Sequence, residues 1–213
     1  MTAILICGGT LSAAFFKEVR ARYPEAEVFA VDGGLRVAEA AGVIPDYLVG
    51  DFDTAEESLV SRYEHRCITL RHKPEKDATD TELAIDEALE RGAETIILLG
   101  ATGTRMDHTL ANVHMLYRVL QQGKQAWILD EHNRISLHDK PFTCKRIELF
   151  GTYVSFLPFF GETTRVTLKG FKYPLSGKTL TAGISLGVSN EVKEDVMEVS
   201  FEKGYLLMIE SRD

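Results

Sequence analysis

Short apolar runs alternate with helix-like stretches over the first 130 residues, and this rhythm restricts the chain to very few folds. Ala3–Cys7, Val28–Val31, Tyr47–Val49, Cys67–Leu70, Thr95–Leu99 and Ala126–Leu129 read as strands. Helical stretches fill the gaps at Ser12–Arg22, Leu35–Ala41, Ala55–Tyr63, Asp80–Arg91 and His108–Gln122. Leu83, Ile85, Ala88 and Leu89 recur at helical spacing, and Gly92 follows as a stop. Strands joined through helices predict a parallel sheet with both faces covered. After residue 131 the helical signal ceases. Ile135–Leu137, Arg146–Leu149, Val154–Leu157, Arg165–Leu168, Thr179–Thr181, Met197–Phe201 and Tyr205–Ile209 read as short strands, a spacing that predicts a small antiparallel sandwich or barrel. The expected architecture is a Rossmann-like α/β parallel-sheet domain over 1–131, followed by an all-β sandwich domain over 132–213.

An open α/β sheet binds ligands beyond the carboxyl ends of its strands. In this chain six aspartates fall where strands end or helices begin: Asp32, Asp51, Asp53, Asp77, Asp80 and Asp107. Carboxylates gathered on one edge repel each other unless a cation lies among them, and Mg²⁺ takes oxygen ligands while bridging to phosphates. In extended backbone, Asp51 and Asp53 would face the same side and Phe52 the other. Thr79-Asp80-Thr81-Glu82 fits a capping box, with Thr79 as N-cap, so Asp80 also has a purely structural explanation. Gly100-Ala101-Thr102-Gly103-Thr104-Arg105 lies between a strand and a helix, where backbone amides can approach a phosphate. It lacks the glycine and lysine spacing of a Walker A loop or a dinucleotide fingerprint. Gly8-Gly9-Thr10 is a weaker turn of the same kind.

Other classes are disfavoured. A net charge of −8 gives no electrostatic help toward nucleic acid. No apolar run approaches the roughly 20 residues of a membrane span. Cys7, Cys67 and Cys144 are distant from each other and odd in number, which suits unpaired thiols in a cytoplasmic protein. No histidine pair has zinc spacing, and no Gly-x-Ser-x-Gly elbow is present.

Taken together, Gly50-Asp51-Phe52-Asp53-Thr54, then Asp77-x-x-Asp80, then Gly103-x-Arg105-x-Asp107-His108 resembles thiamine pyrophosphokinases in order and spacing. Gly170-Phe171-Lys172-Tyr173-Pro174-Leu175 and Gly187-Val188-Ser189-Asn190-Glu191 are similar to that family's thiamine-binding segments. The resemblance implies transfer of pyrophosphate from ATP to the thiamine hydroxyl, giving thiamine diphosphate and AMP. It implies Mg²⁺ on Asp51, Asp53 and Asp80, with Asp77 beside them. It gives Arg105 and Asp107 roles at the phosphates or the thiamine hydroxyl, and Asp77, Asp80 and Asp107 stay open as proton acceptor. Nucleotide contacts are expected at Asp32, Gly33, Lys76, Thr102, Gly103 and Arg105, and thiamine contacts at Tyr173, Ser189 and Asn190. A homodimer with active sites between subunits is also implied. The alternatives are a diphosphokinase for another small alcohol, such as a hydroxymethylpterin, and a non-catalytic thiamine or nucleotide sensor.

Overall fold

The computed structural model describes residues 1–52, 57–71 and 78–213, so Asp53, Lys76 and Asp77 lie outside the described residues. The chain divides into two compact units, Met1–Glu131 and His132–Asp213.

In the first unit the elements run β1 (Thr2–Ile6), α1 (Ala13–Arg22), β2 (Glu27–Val31), α2 (Gly34–Ala41), β3 (Tyr47–Gly50), α3 (Glu57–Tyr63), β4 (Ile68–Arg71), α4 (Asp80–Glu90), β5 (Thr95–Leu99), α5 (Met106–Gln121) and β6 (Gln125–Leu129). The strands lie in the order β4-β3-β2-β1-β5-β6, and every neighbouring pair is parallel. Ala3, Ile4, Leu5 and Ile6 are all fully buried. Consecutive residues of a strand point to opposite faces, so both faces of the sheet are covered. This is why β1 and β5 read as unbroken apolar runs rather than as alternating ones. The helix ends follow their sequence signals. The Ser12 hydroxyl accepts from the Phe15 amide at 3.1 Å to cap α1, Thr79 does the same for α4 from the Glu82 amide at 3.2 Å, and Gly42 closes α2 in the left-handed region.

Order reverses between β1 and β5: β1 leads outward to β2, β3 and β4 on one side, while β5 and β6 lie on the other. A crevice at such a switch point, beyond the carboxyl ends of the strands, is where open α/β sheets place ligands.

The second unit is antiparallel throughout, with β7 (Asn133–His138), β8 (Phe142–Lys145), β9 (Tyr153–Lys169), β10 (Leu175–Thr181), β11 (Asn190–Glu191), β12 (Val196–Ser200) and β13 (Lys203–Ser211). Two expectations need correction here. Val154–Leu157 and Arg165–Leu168 are not separate strands but the two ends of the 17-residue β9. Phe160 and Gly161 take positive φ (58° and 108°), and the ladder with β13 shifts register opposite them. The chain bends through this irregularity without breaking. Its first half pairs with β13 and β11, its second with β10 and β12. Second, Arg146–Leu149 is not a strand. Arg146–Glu148 closes as a single 3₁₀ turn, held by two buried-side partners: Arg134 Nη2 donates to the Glu148 carbonyl at 2.9 Å, and the Phe150 amide donates to Glu210 Oε1 at 3.2 Å. Glu210 is only 1% exposed and is ion-paired with Arg134. Val154, Phe156, Val166, Leu168, Leu180, Met197, Val199, Leu206 and Met208 form the core of this unit, with Phe171 edge-on to Phe156 at 5.5 Å.

His138 ends β7, its ring stacked on Phe142 at 3.9 Å and its Nε2 3.0 Å from Ser136 Oγ. Burial pushes the imidazole down to about 4, against a smaller upward pull from Asp139. A base depressed in the fold contributes stability above its unfolded value near 6.5, and this is lost as pH falls toward 4. Between pH 6.5 and 4.5 the unfolding free energy of the wild type should fall about 2 kcal/mol further than that of His138→Gln. Urea titrations at each pH measure this, and parallel curves would refute it.

Candidate functional site

Three chain segments converge at the carboxyl edge of the parallel sheet. Asp32 follows β2 directly, its backbone left-handed (φ 44°), with its amide donating to the Val49 carbonyl at 3.0 Å. Asp51 follows β3, and Asp80 opens α4. One carboxylate oxygen from each lies within 4.8 Å of the others. At an effective dielectric of about 20, two unit charges at that separation repel by roughly 3–4 kcal/mol. Favourable placement of Asp80 in a helix first turn contributes only about 0.3–1 kcal/mol. Capping therefore does not account for the cluster.

The cluster bears the marks of that repulsion. Burial pushes the Asp32 carboxyl up to about 7, reinforced by its hydrogen bond with Asp80 and the charges of Asp80 and Asp51, with the Phe52 amide opposing. Asp32 Oδ1 is buried with no hydrogen-bond partner among the described residues. A Cβ on Gly50 (φ 148°) would come within 1.9 Å of that same oxygen, so glycine is required here to leave the carboxylate its place. An orphaned buried oxygen in an all-carboxylate set suits a hard divalent cation such as Mg²⁺. The cluster thus includes Asp32, which the sequence reading assigned to the nucleotide. A lone Asp before Gly33-Gly34 looks like an ordinary turn residue, and only strand pairing reveals its neighbours.

The extended backbone expected at Phe52 is not found, and Asp53 beyond it lies outside the described residues. Phe52 has φ 63° and buries its ring against Leu59, Val60 and Tyr63, so the chain turns where a straight strand end was expected. Burying a phenylalanine contributes roughly 1.5–3 kcal/mol, enough to offset one strained residue. The Arg71 guanidinium lies over that ring, 5.4 Å from its centroid, and pairs with Glu64 at 2.6 Å.

Across the switch point, the two glycine loops are tied together. The Gly9 amide donates to the Gly100 carbonyl and the Thr10 amide to the Thr102 carbonyl, both at 2.8 Å. A Cβ on Gly9 would lie 2.3 Å from the Thr102 oxygen, so only glycine permits this approach. The first loop is thereby pinned against the second. Thr102 Oγ1 donates to Asp130 at 2.9 Å, and the buried Asn112 of α5 donates to the Ala101 carbonyl at 2.8 Å. Asn112 was missed in the sequence; its one signal is an amide among the buried positions of a helix. Arg105 precedes α5 and pairs with Asp107 (Nε to Oδ1 3.2 Å). Both are well exposed, and the guanidinium holds the Asp107 carboxyl down at about 2.

In the second unit a hollow of about 560 Å³ is lined by Tyr173, Leu175, Ile184, Leu186, Val188 and Asn190, among others, a size typical of small-molecule sites. Tyr173 is 58% exposed, with the Lys172 ammonium 5.4 Å from its ring centroid. Ser189 is exposed, left-handed (φ 55°), and its amide is held by Ser155 Oγ at 3.0 Å. Asn190 is buried instead. Its Oδ1 accepts from the Tyr173 and Glu191 amides at 3.0 and 2.9 Å, and its Nδ2 donates to the Tyr173 carbonyl at 2.7 Å. Asn190 therefore fixes the tyrosine-bearing loop. The apolar wall of Ile184, Leu186 and Val188 was not singled out in the sequence, although alternate apolar residues outside any strand are its signal.

The family model described as thiamin pyrophosphokinase, catalytic domain, matches residues 24–128, and that for the vitamin B1 binding domain matches 141–206. The chain is 37% identical over 184 residues to the thiamine pyrophosphokinase of Bacillus subtilis (strain 168), covering 86% of each. A crystal structure of thiamine pyrophosphokinase from Bacillus subtilis matches with a TM-score of 0.88 at 32% identity, over 100% of both chains. That of thiamin pyrophosphokinase from Geobacillus thermodenitrificans matches with 0.86 at 31% identity, over 100% of this chain and 98% of the other.

Replacing Asp32 by Asn removes one charge at constant shape. At pH 8 and without divalent cations, Asp32→Asn should raise the unfolding free energy by about 1–2 kcal/mol. It should also abolish the rise in Tm that Mg²⁺ gives the wild type. A full Mg²⁺ shift in the variant, measured by calorimetry, would remove Asp32 from the cation site.

Proposed function

The chain belongs to the thiamin pyrophosphokinase family, and from that premise we propose that it transfers the pyrophosphoryl group of ATP to the hydroxyl of thiamine, releasing thiamine diphosphate and AMP. The observation that carries this reading is the Asp32, Asp51 and Asp80 cluster, with its orphaned buried oxygen, inside the segment matched by the catalytic-domain model. The hollow beneath Tyr173, inside the vitamin B1 binding match, supports thiamine as acceptor. We further read residues 1–131 as a Rossmann-like ATP- and Mg²⁺-binding domain. We read 132–213 as a β-sandwich for thiamine binding and dimerisation.

Asp32, Asp51 and Asp80 would hold Mg²⁺, joined by Asp53. The bound ion would neutralise charge on the β- and γ-phosphates, which is most of what catalysis requires in such a transfer. The remaining work is positioning. The stitched loops hold Thr102 and Gly103 just ahead of α5, and these two, with Gly33 and Lys76, would serve as nucleotide contacts. Arg105 and Asp107 occupy each other in the present state. When Arg105 turns to the phosphates, Asp107 loses the partner that keeps it at about 2. Its basicity then rises toward that of an ordinary carboxylate, which allows it to accept the hydroxyl proton. Asp77 and Asp80 are the other candidates for that role.

In the β unit, Tyr173 would stack on the thiamine rings while Ser189 supplies a polar contact. Asn190 would act by holding the Tyr173 loop. The exposed apolar side chains of Ile184, Leu186 and Val188 support burial in a homodimer, with each active site between subunits. Three unpaired cysteines support a cytoplasmic location, and no helix among the described residues is long and apolar enough to cross a membrane.

Incubation with ATP, Mg²⁺ and thiamine should yield AMP and thiamine diphosphate in equal amounts. ADP in place of AMP would refute pyrophosphoryl transfer. Asp51→Asn should lower kcat by at least about 100-fold with the fold intact. Asn190→Ala should cost about 1–3 kcal/mol of stability, because it strands the Tyr173 amide and carbonyl. It should also raise KM for thiamine more than KM for ATP; equal changes in steady-state kinetics would count against the assigned domain roles.

A further inference from the structure

Two helices deliver the charged groups of the proposed site: α4 begins with Asp80, and α5 begins beside Arg105 and Asp107. Far down α5, one side chain joins them. Arg118 Nε donates to Asp86 Oδ1 at 2.6 Å and Nη2 to Asp86 Oδ2 at 2.7 Å, a bidentate fork, while Nη1 reaches Glu82 Oε1 at 3.1 Å. Glu82 and Asp86 are four residues apart, hence on one face of α4. A single planar guanidinium thus grips two successive turns of the neighbouring helix. Glu82 holds the position that would complete the Thr79 capping box, yet its carboxylate is sent to Arg118 instead. A surface arginine in a helix's last turn already has a reason to exist, because it complements the dipole. That reason does not need a fork fitted to two carboxylates of another helix.

We infer that Arg118 is a positioning residue, whose grip on Glu82 and Asp86 fixes the axial register of α5 against α4 and so the separation of Arg105 and Asp107 from Asp80. This rests on the pyrophosphoryl-transfer reading above. Helix rise gives the lever: 13 residues, or about 20 Å, run from Arg105 to Arg118, and six, or about 9 Å, from Asp80 to Asp86. Apolar packing between helices resists separation more than sliding, whereas a bidentate fork is directional. Slippage of about 1 Å along the axis would move the whole start of α5 relative to the carboxylate cluster, enough to cost up to about 100-fold in a positioned reaction.

Arg118→Ala and Arg118→Lys are compared with wild type in three measurements: turnover at saturating MgATP and thiamine, KM for thiamine, and affinity for Mn²⁺ alone by calorimetry. Arg118→Ala should lower kcat about tenfold, leave KM for thiamine within about twofold, and weaken Mn²⁺ binding about fivefold. Arg118→Lys keeps the charge but satisfies one carboxylate at a time, and should recover part of the loss. Asp86→Ala should reproduce the defect, and adding it to Arg118→Ala should cost little more. If Arg118→Ala turns over within about twofold of wild type, with only a lower Tm, the residue is a plain surface tie and the inference fails. If the wild type itself makes no thiamine diphosphate, the functional reading fails separately. The Mn²⁺ affinities then decide this inference alone, equal values overturning it.

Discussion

Repulsion among three carboxylates governs the α/β unit. Asp32, Asp51 and Asp80 come from segments far apart in sequence, and no contact between them is favourable while all are charged. The fold brings them together because each is attached to something that must be where it is. Asp32 and Asp51 follow adjacent parallel strands whose apolar residues form the sheet core, and Asp80 opens a helix that buries Ala84, Ile85 and Ala88. Apolar burial across the sheet, worth roughly 1.5–3 kcal/mol for each large side chain, overrides a local cost of a few kcal/mol. Glycine at 50 and left-handed backbone at Asp32 and Phe52 are the local concessions that make the convergence possible.

Much of this was legible in the sequence because the deciding signals are local. Unbroken apolar runs, helical spacing, Thr79 as an N-cap and Gly92 as a stop placed the described helices and strands of the first unit within a residue or two. Asp51 and Asp80 were picked out from the same local signals. The failures share one cause, dependence on distant partners. That Asp32 meets Asp80 was not legible, because nothing near it in the chain announces that partner. The backbone turn at Phe52 follows from a cluster with α3, and the 3₁₀ turn at Arg146–Glu148 from Glu210 and Arg134, the former some sixty residues away along the chain. β9 was split in two because Gly161 punctuates a sequence without ending the strand.

Asn190 illustrates how a residue beside a hollow can act through its backbone partners. The sequence placed it with Tyr173 and Ser189, and the three are neighbours. Its amide is occupied by the Tyr173 backbone, so the shape of the hollow depends on a polar group spent on the hollow's own wall. Arg118, in the register role inferred for it, is the same kind of residue in the other unit. In both, hydrogen bonds that touch no ligand set the precision of those that do.

The orphaned oxygen of Asp32 also bears on how long such a chain survives. A ligand that binds only the folded state stabilises it by mass action, so a protein built around an unneutralised cluster holds part of its stability in its surroundings. Where divalent cation is scarce, the opened population that a protease can attack grows with every kcal/mol left unrecovered. The supply of free divalent cation would then set the amount of the enzyme as well as its rate.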